Sequence, residues 1–263
     1  MDLGLTDRAC IVTGGSRGIG LRVARRLLAE GAMVLLIGRG ERALRDAVAE
    51  LDPERVAWLA ADVTASDAGE RAVATCLERF GRLDALVNNA GDNDVVALEE
   101  LTDEEWRRQF ELHVMAPMRF MRAAVAPMLE RGWGRIVNVA STSGRRPGRR
   151  NLAYGASKAA ELSLSRGYAE HYAPRGILVN AVNPGPIEGE LWLREGGLAD
   201  QAAAADGVSR DEALRAVAGG LPLGRLGAPE EVAAVIAFLC SELAGNVVGA
   251  AWSVDGGAVP SIF

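Results

Sequence analysis

Tyr154 and Lys158 stand four residues apart in Tyr154-Gly155-Ala156-Ser157-Lys158. On a helix that spacing puts both side chains on one face, a turn apart. A phenol has a reference pKa of about 10 and is a poor proton carrier near neutrality unless its surroundings change it. An ammonium about 4 Å away favours the phenolate by up to roughly 4 kcal/mol at an effective dielectric of 20. General acid–base chemistry needs tuning of that kind. Such a pair is common by chance, but here it has company. Arg135-Ile136-Val137-Asn138-Val139-Ala140 reads as a strand that delivers Ser141 at its C-terminal end, where open α/β sheets bind ligands. A serine hydroxyl there can hydrogen-bond a carbonyl oxygen beside the tyrosine.

A second constellation lies near the start of the chain. An apolar run leads directly into Thr13-Gly14-Gly15-Ser16-Arg17-Gly18-Ile19-Gly20 and then into a helical pattern. Glycines permit a tight turn and let backbone N–H groups approach a pyrophosphate, which the following helix N-terminus also favours. The spacing is G-x3-G-x-G, so it matches the commoner dinucleotide fingerprint in mechanism and not in letter. About twenty residues on, chains that bind NAD place an acid for the ribose 2′-hydroxyl. Gly38-Arg39 stands there instead. Arg39, with Arg17 of the turn, predicts a clamp for a 2′-phosphate and hence a preference for NADP(H), with NAD(H) as the alternative.

Elements that would position these groups follow from the hydrophobic pattern. Ala9–Thr13, Met33–Ile37, Val56–Ala60, Ala85–Asn88, Arg135–Val139, Ile177–Val182 and Ala251–Val254 read as strands. Nearly all are continuously apolar, as parallel strands covered on both faces are. Between them, Gly18–Glu30, Arg42–Leu51, Asp67–Phe80, Asp103–Arg131, Ala153–Ala173 and Pro229–Ser241 read as helices. Thr102 with Glu105, and Ser209 with Glu212, have the capping-box pattern, and Pro229 suits a first helical turn. The alternation predicts an α/β fold: a single-domain, Rossmann-type, doubly wound parallel sheet with helices on both faces, spanning residues 1–263. The Ala/Gly-rich stretch from Gly189 to Leu221 breaks the rhythm and reads as a lid over the sheet's end.

Composition limits the function classes. The 263 residues are 49% hydrophobic, enough for a full core, and 29 Lys+Arg against 35 Asp+Glu give a net charge of −6. That field works against nonspecific nucleic-acid binding. Met1 to Arg8 lack a signal-peptide layout, and apolar runs such as Met33 to Ile37 are too short to cross a bilayer. Cys10, Cys76 and Cys240 are far apart, without CxxC or nearby histidine, and predict buried thiols of a cytoplasmic protein and no metal site.

The motifs, taken in order, resemble the classical short-chain dehydrogenase/reductase family over essentially the whole chain. They are Thr13–Gly20, Asp62-Val63, Asn88-Asn89-Ala90-Gly91, Ser141, Tyr154/Lys158, Asn183-Pro184-Gly185 and Asp255-Gly256-Gly257. The resemblance, closest in character to 3-oxoacyl-thioester reductases, implies hydride transfer between a nicotinamide dinucleotide and a carbonyl/alcohol pair. It implies that Gly14, Ser16, Arg17, Gly18, Ile19 and Gly20 cradle the cofactor, that Asp62 and Val63 hold the adenine, and that Asn89, Ala90, Gly91, Pro184 and Ile187 line its path. Tyr154 would be the acid/base, Lys158 would hold the nicotinamide ribose and tune the tyrosine, and Ser141 would orient the carbonyl. A homotetramer, or a dimer, built partly on the Asp103–Arg131 and Ala153–Ala173 helices is also implied.

Two positions depart from the family pattern. The family's catalytic asparagine falls seven residues after a tryptophan; counted from Trp106, that position is His113. It either joins the proton relay in the asparagine's place, since histidine can bind water and titrate, or only packs there. After Asn183-Pro184-Gly185-Pro186-Ile187 the family places a threonine or serine, whereas this chain has Glu188-Gly189.

The substrate is less legible. Gly144-Arg145-Arg146-Pro147-Gly148-Arg149-Arg150 lies between Ser141 and Tyr154. Its four arginines either attract an anionic, thioester-linked substrate or form a solvated or interface loop. Asp92 and Asp94 nearby oppose a simple anion site, and Leu191, Trp192 and Leu193 offer an apolar pocket wall or anchor the lid. Against NADPH-dependent carbonyl reduction stand two other readings: NAD-dependent alcohol oxidation on the same scaffold, and a dinucleotide-binding sensor without chemistry.

Overall fold

The computed structural model describes residues 2–148 and 151–260. Met1 of the leader reading and Arg149 and Arg150 of the arginine loop lie outside the described residues. Seven parallel strands form one sheet in the order β3-β2-β1-β4-β5-β6-β7. They are β1 (Ala9–Thr13), β2 (Met33–Gly38), β3 (Val56–Ala60), β4 (Ala85–Asn88), β5 (Gly134–Val139), β6 (Ile177–Pro184) and β7 (Ala251–Val254). The chain steps outward from β1 to β3, then restarts on the other side at β4. Between β1 and β4 the connections diverge, and ligands bind at such a switch point.

Two apolar layers sandwich the sheet, as continuous strand hydrophobicity requires. Alternate residues of β1 divide between them: Cys10 and Val12 pack on one side, Ala9 and Ile11 on the other. The first layer is closed by α1 (Gly18–Ala29), α2 (Glu41–Ala49) and α10 (Pro229–Cys240). The second is closed by α3 (Ala68–Phe80), α5 (Ala116–Arg131) and α6 (Leu152–Tyr172). Cys10, Cys76 and Cys240 are buried free thiols, the last two pushed up to about 12 chiefly by burial.

The strands fall where the pattern predicts, within two residues at their ends. One helix does not. The periodic run Asp103–Arg131 is α4 (Asp103–Phe110) and α5, joined by a wider π-type turn over Glu111–Met115. Pro117 lacks the N–H that a regular helix would give to the His113 carbonyl, so one bond of the 3.6-residue ladder is missing at this point. The extra residue turns His113 fully inward.

The Gly189–Leu221 stretch contains three short helices: α7 (Glu190–Leu193), α8 (Leu198–Asp206) and α9 (Arg210–Gly219). Ser209 and Glu212 cap α9 reciprocally. Thr102 caps α4, accepting from the Glu105 N–H at 3.2 Å, but the Glu105 carboxylate turns to Arg108 and Gln109 instead of closing a box. Among the described residues, no helix is long and apolar enough to cross a membrane.

Candidate active site

Helix α6 starts because Asn151 caps it. Its side-chain oxygen accepts from the Tyr154 N–H at 2.9 Å, while its own backbone is left-handed, at φ +72°, a conformation asparagine tolerates better than most residues. The same side chain donates to the Asn93 side chain and the Asp94 carbonyl, both at 2.9 Å, so the helix start is fixed to the loop beyond β4. Sequence reasoning began this helix at Ala153 and missed Asn151, although an asparagine just ahead of a helical pattern was a legible signal.

Lys158 lies one turn on, its ammonium nitrogen 5.9 Å from the Tyr154 ring centre. It is only 3% exposed. The nitrogen donates to the Val139 carbonyl at 2.9 Å and to Glu161 Oε2 at 2.8 Å. Ser141 follows Val139 by two residues, is buried, and accepts the Ser143 N–H at 3.1 Å, which orients its hydroxyl at the head of β5. The turn after it packs closely on α6: a Cβ added at Gly144 would lie 2.8 Å from the Lys158 backbone. Ser141, Tyr154 and Lys158 therefore converge at the C-terminal end of β5.

His113 reaches the same place from the π-type turn. Its ring meets the Tyr154 ring edge-on with centres 5.2 Å apart. Nδ1 lies 3.1 Å from Ser157 Oγ, which itself donates to the Tyr154 carbonyl, and Nε2 accepts the Asp92 N–H at 3.3 Å. Both contacts are satisfied by the neutral, Nδ1-protonated ring. Burial, then the Lys158 and Arg108 charges, hold its pKa well below the ordinary histidine value. Both ring nitrogens are engaged within the protein.

The glycine turn is locked to the neighbouring loop. Thr13 Oγ1 accepts the N–H groups of Asn89 and Ala90 at 2.9 and 3.0 Å, and the Asn89 amide donates to the Thr13 and Gly14 carbonyls. A Cβ at Gly20 would lie 2.3 Å from the Gly14 oxygen, so this glycine is required by close approach. Gly18, at φ +53°, opens α1 with nothing within 4 Å of a notional Cβ. An open helix N-terminus beside a tight backbone turn fits a pyrophosphate. Further out, Arg39 is exposed at the end of β2, and its charge contributes, after the Thr64 backbone and hydroxyl, to holding the Asp62 carboxyl below its usual range. Ser16 faces the same strand end, its Oγ 3.6 Å from a notional Gly38 Cβ. Arg17 does not turn toward Arg39; it pairs with Glu190 of α7 at 2.7 Å.

Beyond β6, Gly185 packs on Asp255, with a notional Cβ 2.9 Å from its backbone, and Ile187 bridges to Gly227. Asp255 in turn caps the Gly257 and Val259 N–H groups. The two motifs Asn183-Pro184-Gly185 and Asp255-Gly256-Gly257 thus form one corner that holds the strand beside the site. Val63 is buried on the α3 side of the sheet. Arg145 and Arg146 reach the C-terminal segment, donating to Ser253 Oγ and the Ala258 carbonyl. Asp92 and Asp94 are met by Arg108 at 3.6 and 3.4 Å.

A model for the family described as enoyl-(acyl carrier protein) reductase matches residues 14–259. The chain belongs to the short-chain dehydrogenase/reductase family. It is therefore an oxidoreductase of carbonyl and alcohol groups. Within the family it is similar to sorbitol dehydrogenase of Cereibacter sphaeroides, 35% identical over 254 residues that cover 96% of this chain and 98% of that one. It is also similar to 3-oxoacyl-[acyl-carrier-protein] reductase of Chlamydia muridarum, 33% identical, with 96% and 98% of the two chains covered. Among solved structures, L-sorbose reductase from Gluconobacter frateurii, complexed with NADPH and L-sorbose, superposes with a TM-score of 0.93 at 34% identity and full coverage of both chains.

Proposed function

We propose that this protein reduces a ketone to an alcohol at the expense of NADPH, with Tyr154 as the acid. The observation that carries the reading is the buried Lys158 ammonium set 5.9 Å from the Tyr154 ring, at the strand end that bears Ser141. The dinucleotide, when bound, supplies the hydride that the carbonyl carbon receives. Tyr154 gives its phenolic proton to the carbonyl oxygen, and Ser141 donates a hydrogen bond to the same oxygen and fixes the carbonyl plane. Lys158 holds the nicotinamide ribose and favours renewed protonation through that hydroxyl. His113 props the Tyr154 ring and the Asp92 loop in place.

The turn Gly14–Gly20 cradles the pyrophosphate, Asp62 and Val63 hold the adenine, and Asn89, Ala90, Gly91, Pro184 and Ile187 line the nicotinamide half. Exposed Arg39, with no acid at the end of β2, supports selection of the 2′-phosphate. Arg17 would join it by leaving Glu190. The relatives include a polyol dehydrogenase and an acyl-thioester reductase. The substrate is accordingly either a ketose or a 3-oxoacyl thioester, to be separated by screening L-sorbose against acetoacetyl-coenzyme A. Half-exposed Phe110 and Met115 on the outer side of α4 and the π-type turn support assembly into a dimer or tetramer through that face.

The deciding experiment is a fluorescence titration with NADPH and NADH at matched ionic strength. NADPH should bind more tightly, and Arg39→Ala should weaken it about tenfold or more, the worth of a charge-assisted contact, while leaving NADH unchanged. Equal affinities would overturn the NADPH assignment and favour oxidation of an alcohol with NAD.

A further inference from the structure

Lys158 is the only lysine in the chain; the remaining strong bases are all arginine. Its place is not one an arginine fork could take. The ammonium is a compact charge with three N–H donors in a buried slot, and two are already committed, to the Val139 carbonyl at 2.9 Å and to Glu161 Oε2 at 2.8 Å. Glu161 is itself 1% exposed, three residues further along α6. Burial pushes its carboxyl above the ordinary range, and the ammonium beside it works the other way.

The helix backbone at Glu161 is anchored. The Ser165 hydroxyl donates to the Glu161 carbonyl at 2.7 Å, the Asn138 amide donates to Ser165 at 2.7 Å, and the Asn88 amide donates to Asn138 at 2.8 Å. This buried polar run ties the middle of α6 to the ends of β4 and β5. A buried cation is costly without a counter-charge, and a buried hydrogen-bonded pair fixes geometry more than it adds stability.

We propose that Glu161 is a positioning residue for Lys158: it takes one N–H and balances the buried charge, so that the remaining N–H is presented to the nicotinamide ribose beside Tyr154. The inference rests on the reading of Lys158 as the ribose holder. The titratable groups around the ammonium are Glu161 and Tyr154 of α6 and His113 of the turn packed across it, while β5 presents the Val139 carbonyl. Deleting the Glu161 charge favours proton loss from each neighbour. The alkaline limb of the reductive rate profile therefore moves to lower pH in Glu161→Gln, whichever of Tyr154 and Lys158 it reports.

The test is a double-mutant cycle of Glu161→Gln and Lys158→Met, read by NADPH affinity. Glu161→Gln should weaken NADPH binding about tenfold in the parent and add nothing in the Lys158→Met background, because positioning acts through the lysine. A loss that persists in that background means a general structural role and overturns the proposal. Glu161→Asp retains the charge but is one methylene too short; it should keep the alkaline limb of the parent and lose affinity.

A second readout needs neither cofactor nor substrate. Protein labelled at lysine Cε gives one carbon signal, from Lys158 alone. Its alkaline transition should come at lower pH in Glu161→Gln than in the parent, and an unmoved transition overturns the proposal. If the parent fails to bind NADPH, the functional reading falls, while this signal still decides whether Glu161 governs the lysine. Should Glu161→Gln not fold, the doubly substituted protein, which buries no charge at the pair, and Glu161→Asp carry the comparison.

Discussion

The head of α6 and the outer end of the cleft around Arg17 and Arg39 are built on opposite plans. Around Tyr154 and Lys158 the polar side chains are buried and held: Lys158, Glu161, Asn151, Ser157 and His113 each have protein partners. At the other end Arg39 is exposed, and Arg17 is spent on an ion pair whose members are each more than half exposed. The first region is held by buried contacts within the protein; the second presents exposed charges. Proton transfer depends on sub-ångström placement, which only packing and hydrogen bonds can prepay in entropy. A phosphate clamp gains most of its energy from charge and tolerates mobile side chains until the anion arrives.

Breaking the preorganised end should cost most. Tyr154→Phe removes the hydroxyl proposed as the acid while preserving ring, helix and the His113 contact. Turnover should fall about 10²- to 10⁴-fold with NADPH affinity nearly unchanged. Steady-state kinetics paired with a cofactor titration checks this, and surviving turnover would remove Tyr154 from the chemistry.

Next comes the cap. Asn151→Ala loses the hydrogen bond to the Tyr154 N–H and places alanine at φ +72°, together worth about 2 kcal/mol. The melting temperature should drop by several degrees, with Asn151→Gly recovering part of it because glycine accepts that φ. An alanine variant that melts with the parent would show that neither the cap nor the side-chain contacts to Asn93 and Asp94 are needed to hold the helix start.

His113 sharpens the comparison by pH. Its folded-state pKa lies well below the ordinary 6.5, so the unfolded chain takes up a proton before the folded one does. The stability it contributes is present above about pH 6.5 and is lost as pH falls toward the folded value, with a slope of at most about 1.4 kcal/mol per pH unit. Denaturant midpoints for His113→Asn should fall less steeply below pH 6.5 than those of the parent. Equal slopes would mean that other groups govern acid sensitivity.

The smallest effect belongs to the exposed end. Glu190→Gln frees Arg17 from a surface pair worth about 0.2–1 kcal/mol. NADPH binding should tighten by less than about fivefold, more at low salt than at high. Weaker binding would assign Glu190 to the site itself.

Much of this was legible in the chain. Continuous apolar strands, alternating with amphipathic helices, fixed the sheet and its two covered faces, because backbone pairing and apolar burial depend on local pattern alone. Motif spacing brought Tyr154, Lys158 and Ser141 to one strand end, since a helical interval of four and a strand terminus are both countable. The break in Asp103–Arg131 was not legible: Pro117 and Pro127 both lack a donor, but the wider turn falls only before Pro117, and His113 is turned inward there against α6.

What the sequence could not decide was which distant groups would meet. The Arg17–Glu190 pair spans 173 residues, Arg145 finds Ser253 across 108, and Asn151 meets Asn93 across 58. Glu161 lies only three residues from Lys158, a spacing that in the sequence alone reads as a surface helix pair. That it is 1% exposed, and therefore a charge the lysine must balance, follows from the β5 and α6 packing around it. Local order is written in nearest neighbours along the chain. Burial, and with it the strength of every charge at the site, is set by the layers that fold over it.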